Sequence, residues 1–391
     1  MAGATFGLDQ APLKGSQGPM IDLAHSFVAP GFEPVLDAFR ANFDEDLELG
    51  AGFCVLLEGE IVVDLVGGYR DRAKTQAWTQ ETLVPVYSTT KPIAALVIAR
   101  LQDQGLLHFD DPIGKLWPEF IVHGKNVSIA QALSHQAGVP GFPDPIDPEL
   151  WLDPPALAVA LAQLAPLWPP TTASGYHPLT YGYIAGELAQ RAHGTSLGTQ
   201  LRKQVCDPLN IDFWIGLPLQ HHARCADMSR PKAMPTLGPI SYPRKVAFLT
   251  PWAAPGRGGA DWRLAEIPSA NGHGTARSVA TLYGVFANDG KIGGHQIVSP
   301  ATMAEFTKPR IRGQDLVLPY EIEWATGVMR NNNLRYGPNP TTLCHSGWGG
   351  SGGFGDPDKR LSAAYVMNKQ SPALLGDERA ARLIEALYRC L

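Results

Sequence analysis

The sequence predicts an α+β protein: an antiparallel β-sheet flanked by helices, with a mainly helical domain inserted into it. Three observations lead there. β-Rich runs with tight turns sit near both ends of the chain, at 53–66 and 353–367. Long helical patterns begin near Ser88 and at Thr275. Between them lies a Pro-rich middle with few strand signals. A sheet assembled from both ends, with the middle inserted, accounts for all three. The expected boundaries are 1–105 and 270–391 for the sheet-bearing part and 106–269 for the helical, Pro-rich part with its lid segments. The active site is expected between them.

Taken in order, the first 30 residues are aperiodic and read as a surface arm. Phe32, Val35, Leu36, Phe39 and Phe43 then fall at helical spacing. Phe53 to Leu57 and Ile61 to Val66 flank Glu58-Gly59-Glu60 and read as a hairpin. From Ser88, the positions Ile93, Leu96, Val97 and Leu101 give an apolar face ending near Gly105. Prolines crowd 139–155 and 165–170, separated by the helical ALAVALAQLA. Residues 230–273 show little periodicity, as a lid or binding wall would. TARSVATLYGVFANDG reads as a helix ending near Gly290. Gly353 to Asp356 and Leu361 to Met367 read as strands around Asp356-Pro357-Asp358-Lys359, and a last helix runs from about Asp377 to Leu391.

Composition narrows the function. The chain has 391 residues, 45% hydrophobic and 18% charged, as folded globular proteins have. Its net charge of −5 forces no face to be basic, so nucleic acid is not an expected partner. No apolar run nears the roughly 20 residues of a transmembrane helix, and MAGATFGLDQAPLKG lacks a signal-peptide pattern. The five cysteines are scattered without a CxxC and read as reduced thiols in a cytoplasmic protein. No membrane partner is expected, and a homo-oligomer is left open.

The chemistry starts at Ser88-Thr89-Thr90-Lys91. Positions i and i+3 of a helix share a face, so the hydroxyl would stand beside the amine. A desolvated lysine can act as a base near neutral pH. The serine N–H at a helix start can donate to an oxyanion. The plain alternative is a helix cap with a solvated lysine. Chance alone supplies about one S-x-x-K in a chain this long. Ser229-Arg230-Pro231-Lys232 is a second match, without a helical pattern, and is taken as the accidental one.

Gly175 to Tyr183 offers Tyr176, Tyr181 and Tyr183 as proton relays. Aromatic packing is the plain alternative, and spacing does not choose among the three. His345 to Gly353 is a Gly-rich segment entering a strand, suited to close approach of a ligand and to an oxyanion N–H. Its literal G-x-S-x-G, Gly349 to Gly353, lacks the strand-before, helix-after setting of a nucleophile elbow. His221-His222 has no ligand-spaced partner and reads as surface histidines. Asp110-Asp111-Pro112 reads as a helix-starting turn. Trp151, Trp168, Trp252 and Trp262 could line a pocket or pack the core.

The order of these motifs, with the runs VYSTTKPIAALVIARLQDQGLLHFDDPIGKLWPEF, ALSHQAGVPG, GYHPLTYGYIAGEL, NGHGTARSVATLYGVFANDG and HSGWGGSGGFGDPDKRLSAAYVMNK, resembles the serine β-lactamase and penicillin-binding-protein superfamily. Within it the chain looks most like the family VIII carboxylesterases. Tyr176-His177-Pro178 stands where the similar class C β-lactamases carry Tyr-x-Asn, and Trp348-Gly349-Gly350 where they carry Lys-Thr-Gly. The missing lysine removes a charge that would hold a β-lactam carboxylate. The resemblance implies the β-lactamase/DD-peptidase fold and a carboxylesterase acting on small ester substrates without cofactor or metal. It implies Ser88 as nucleophile, Lys91 as base and Tyr176 as proton relay. The oxyanion would sit on the N–H groups of Ser88 and Ser351, or of Trp348 if His345-Ser346-Gly347 fills the strand slot. Trp348, Gly349, Gly350 and His345 are the expected substrate-binding residues. A β-lactamase, amidase or D-amino-acid peptidase is the alternative within the superfamily, and a non-catalytic binding protein the alternative outside it.

Overall fold

Glu58 and Gly59 make the first turn of the sheet. Both take left-handed backbone, at φ 53° and 89°, as a two-residue hairpin turn demands. This joins strands Gly50–Leu57 and Glu60–Gly68 with Leu57 opposite Glu60. The structure, a computed structural model, describes residues 25–391. The expected arm over residues 1–30 lies mostly outside them. Of the remainder, Phe27–Val28 pairs antiparallel with Val63 and Asp64.

Nine antiparallel strands form the main sheet. Their order is Phe27–Val28, Glu60–Gly68, Gly50–Leu57, Leu361–Met367, Gly352–Asp356, Leu343–Ser346, Met329–Arg330, Glu321–Trp324 and Ile311–Gln314. The two ends of the chain meet at its centre, where Ala51 to Leu57 lie opposite Met367 to Leu361. Both faces are covered, which explains the unbroken apolar run FCVLL. Phe53 and Val55 pack on one face with Phe39 and Phe43 of helix Glu33–Asp44 and with Leu383, Ile384 and Leu387 of helix Glu378–Tyr388. Cys54 and Leu56 pack on the other with Val279 and Leu282 of helix Ala276–Ala287. That helix lies close because Gly353 and Gly355 carry no side chain. A Cβ there would come within 2.9 Å of Tyr283 and 2.6 Å of its backbone oxygen, respectively.

Helix Lys91–Asp103 starts directly after a 3₁₀ turn over Tyr87–Thr90. Pro92 occupies its first turn, where no backbone donor is needed. Ten of its thirteen residues are buried, so it reads as apolar nearly all round. It packs most extensively on helix Thr180–His193.

The Pro-rich middle is held by indole N–H groups. Trp151 donates to the Trp252 carbonyl at 2.9 Å, and Trp252 to the Phe142 carbonyl at 2.8 Å. Tyr183 donates to the Trp151 carbonyl. The segment 230–273 is more regular than its sequence predicts. It forms helices Tyr242–Phe248 and Ala260–Leu264. Helices of seven and five residues are too short for a 3.6-residue period to stand out, and tertiary contacts stabilise them.

Among the described residues no helix is long and apolar enough to cross a membrane. All five cysteines are free thiols.

Candidate active site

The chain enters the site under restraint. Val84 and Pro85 pair with Gly274 and His273, and the Val86 N–H donates to the Gly272 carbonyl at 2.8 Å. Tyr87 then adopts φ 49°, a left-handed conformation for a bulky buried residue. Such a conformation costs on the order of 1–3 kcal/mol and persists only where the surroundings enforce it. Ser88 follows, half-buried, at the head of the helical segment.

Two groups converge on the Ser88 hydroxyl. Lys91 Nζ lies 3.1 Å from Oγ, and the Tyr176 hydroxyl donates to it at 2.6 Å. Lys91 is fully buried, and its amine also donates to the Pro178 carbonyl at 2.8 Å and the Ser269 carbonyl at 3.0 Å. No carboxylate approaches it among the described residues. Burial therefore dominates and pushes its pKa well below the usual lysine value. Its three contacts, Ser88 Oγ and the two carbonyls, match the three donors of an ammonium. Once one proton is lost, two N–H groups still serve the carbonyls and the lone pair faces Ser88 Oγ.

Tyr176 is buried and oriented from several sides. Its N–H donates to Asp315 Oδ1 at 2.8 Å, and its ring stacks on Trp324 with centroids 5.9 Å apart and planes at 9°. The His135 ring lies 5.0 Å away. Asp315 is itself buried and also accepts from the N–H groups of Val317 and Leu318 and from Trp324 Nε1. Lys91 Nζ sits over the Tyr176 ring, 4.7 Å from its centroid. Burial raises the Tyr176 pKa, outweighing its hydrogen bond to Ser88. The phenol stays protonated, and so it is a donor at rest.

The other two tyrosines point elsewhere. Tyr181 donates to the Lys91 carbonyl at 3.2 Å, and Tyr183 holds Trp151. His177 is buried, with Nδ1 2.6 Å from the Gly175 carbonyl and Nε2 accepting from the Val139 N–H at 3.0 Å. Burial lowers its pKa to about 3, so it is a neutral strut for the loop.

The Gly-rich segment closes the site from the sheet side. Ser351 Oγ donates to the Val86 carbonyl at 2.8 Å, and the Gly347 N–H donates to the Ser351 carbonyl at 2.7 Å. The loop 347–351 is thereby fastened two residues ahead of Ser88. It must approach closely. A Cβ on Gly347 would stand 2.2 Å from the Val86 carbonyl oxygen. Trp348 is half-buried. Gly349 lies against Gln370, and Gly350 against Asp377. His345 is buried in the aromatic cluster, 6.0 Å from the Tyr176 ring, and its pKa is lowered to about 3. It lies under the tyrosine, away from solvent.

The remaining sequence candidates sit outside the site. Ser229 bonds through its backbone to Asn368 and Gln370 in an extended connection, and Lys232 is exposed. His221 packs on Trp214 at 4.5 Å, and His222 Nε2 lies 2.9 Å from the Leu217 carbonyl. Asp111 accepts from the His108 N–H ahead of the short turn Ile113–Lys115, as expected of a turn former. Sequence reasoning missed Asp315, Trp324 and the Ser269 carbonyl. No motif marks the first two. Ser269 lies just ahead of NGHG, close to a run that was singled out.

A serine and a lysine one turn apart, set against a sheet built from both chain ends, define a class of serine hydrolases with the β-lactamase fold. The chain belongs to the beta-lactamase family, which it matches over residues 39–388. It is 30% identical over 366 residues to the Esterase/beta-lactamase LipL of Mycobacterium tuberculosis (strain ATCC 25618 / H37Rv), covering 89% of this chain and 84% of that protein. Among solved structures, a novel penicillin-binding protein homolog from Caulobacter crescentus is 50% identical, with a TM-score of 0.91 over 93% of this chain and 99% of that one. A family VIII carboxylesterase is 41% identical, with a TM-score of 0.87 over 93% of this chain and 99% of that one.

Proposed function

We propose that the protein is a carboxylesterase that hydrolyses short-chain esters through an acyl-enzyme on Ser88. The observation that carries this is the double contact on Ser88 Oγ, 3.1 Å from a buried lysine without a carboxylate partner and 2.6 Å from a protonated tyrosine. Lys91 takes the Ser88 proton as Oγ attacks the ester carbonyl. The oxyanion forms on the N–H groups of Ser88 and Ser351. As the tetrahedral intermediate collapses, Tyr176 gives its proton to the leaving alkoxide, and Lys91 restores the proton to Tyr176. Water then attacks the acyl-enzyme by the same route and releases the acid. No cofactor or metal takes part.

The choice of ester over lactam is supported by the likeness to a family VIII carboxylesterase and by the lack of a lysine between His345 and Gly353. A β-lactamase activity is the second reading, favoured by the relative named as both esterase and beta-lactamase. We place the site in the seam between a sheet-bearing part, 1–105 with 270–391, and a helical part, 106–269. Ser88 and Lys91 come from the first, while Tyr176 and both carbonyls that bind Lys91 come from the second. Trp348 is the residue of the Gly-rich segment we place against substrate. The five free cysteines suit a cytoplasmic enzyme.

The test is Ser88→Ala assayed on p-nitrophenyl butyrate beside nitrocefin. The variant is expected to lose ester hydrolysis, and parental activity in it would end the proposal. A wild-type kcat/KM higher for nitrocefin than for the best ester would move the assignment to the second reading.

A further inference from the structure

Arg257 stands in the irregular stretch between helices Tyr242–Phe248 and Ala260–Leu264. Its guanidinium carbon lies 5.9 Å from the centroid of Tyr87 and 5.5 Å from that of Trp348. Tyr87 is the residue before Ser88, and Trp348 belongs to the loop fastened beside it. The cation therefore bridges the two walls that flank the nucleophile.

It has no counter-ion among the described residues. Its titratable neighbours are the Tyr87 phenol, which burial keeps protonated, and a second cation, Arg230, and no carboxylate among the described residues pairs with it. Acidic residues are not scarce, since the chain carries 37 against 32 basic ones. Arg257 is exposed to solvent, and the two rings beside its guanidinium shield it in part, which lowers its pKa. An unpaired cation partly shielded from water costs some free energy. Two aromatic faces offset part of that cost through cation–π contact, and an incoming anion would offset the rest.

We propose that Arg257 binds a carboxylate carried by the substrate, so that the favoured substrates are esters with a second, ionised carboxylate, such as half-esters of short dicarboxylic acids. This rests on the esterase reading and specifies its substrate class. The lysine absent from the segment 345–353 would be replaced by a cation from a different part of the chain. A guanidinium presents two parallel N–H groups to a carboxylate, which fixes the ester as well as attracting it.

The experiment compares kcat/KM for charged and neutral partners of equal length. One pair is mono-4-nitrophenyl glutarate and 4-nitrophenyl pentanoate, with the charge on the acyl side. The other is 3-carboxyphenyl butyrate and phenyl butyrate, with the charge on the alcohol side. In at least one pair the charged-to-neutral ratio is expected to fall about ten-fold or more in Arg257→Gln. It should be kept in part in Arg257→Lys. In the wild type it should decline with added salt, and in Arg257→Gln it should not. Ratios unchanged by Arg257→Gln in both pairs would overturn the proposal. If Ser88→Ala silences all four esters while those ratios stay unchanged, the esterase reading stands and the Arg257 assignment alone fails.

Discussion

Replacing Tyr176 by phenylalanine separates its proton from its packing. The ring is stacked on Trp324 and the backbone N–H is held by Asp315. Phenylalanine keeps both contacts and opens no cavity. Only the hydroxyl is lost, together with its 2.6 Å hydrogen bond to Ser88. That bond is worth about 1 kcal/mol, so attack by Ser88 should slow by no more than about ten-fold. The donated proton is worth far more where the leaving group is poor. General-acid assistance contributes about 100- to 10,000-fold. An ethyl ester expels an alkoxide that needs the proton, whereas a p-nitrophenyl ester expels a stable phenolate that does not. The kcat/KM for ethyl butyrate should thus fall about 100- to 10,000-fold in Tyr176→Phe, and that for p-nitrophenyl butyrate by about ten-fold or less. Because kcat/KM reports acylation, the shared acyl-enzyme does not blur the comparison. Equal losses on the two esters would refute the assignment of Tyr176 as proton donor to the leaving group.

Two further outcomes follow from buried ionisable groups. The rising limb of kcat/KM against pH should lie well below the usual lysine range, since Lys91 must be neutral to act and burial depresses its pKa. Lys91→Arg, which cannot deprotonate, should be inactive throughout, and a limb near pH 10 in the wild type would contradict the base. His177, His273 and His345 are buried with pKa values lowered to about 3 from 6.5. The unfolded chain therefore binds more protons between those values, so their contribution is fully present above pH 6.5 and is lost as pH falls towards 3. At pH 5 each costs about 2 kcal/mol, or about 6 together. Urea unfolding should show a drop from pH 7 to 5, offset in part by carboxyls such as Glu48, whose pKa burial raises to about 7; imidazole NMR signals of the folded protein that titrate near the free value would show that these rings do not stay neutral.

Local rules account for what could be read from the chain alone. Glu58-Gly59 makes a hairpin because its left-handed turn depends on two residues. Ser88 and Lys91 share a face because one helical turn separates them. Thr275 starts a helix because it caps its own first turn, accepting from the Ser278 N–H at 3.1 Å. The rest depends on neighbours distant in sequence. Tyr176, Tyr181 and Tyr183 are equivalent as a string, and only packing against Trp324 and Asp315 sets one of them beside Ser88. The Lys91 side chain is a base or a surface cation according to its surroundings, and those come from Pro178 and Ser269, 87 and 178 positions away. Arg257 stood in a stretch that reads as structureless, and its place between Tyr87 and Trp348 has no sequence signature. Spacing along the chain therefore determined which groups could meet within one turn. Desolvation and long-range contact, which exist only in the folded state, decided which of them hold a proton, which give one up and which charge is left without a partner.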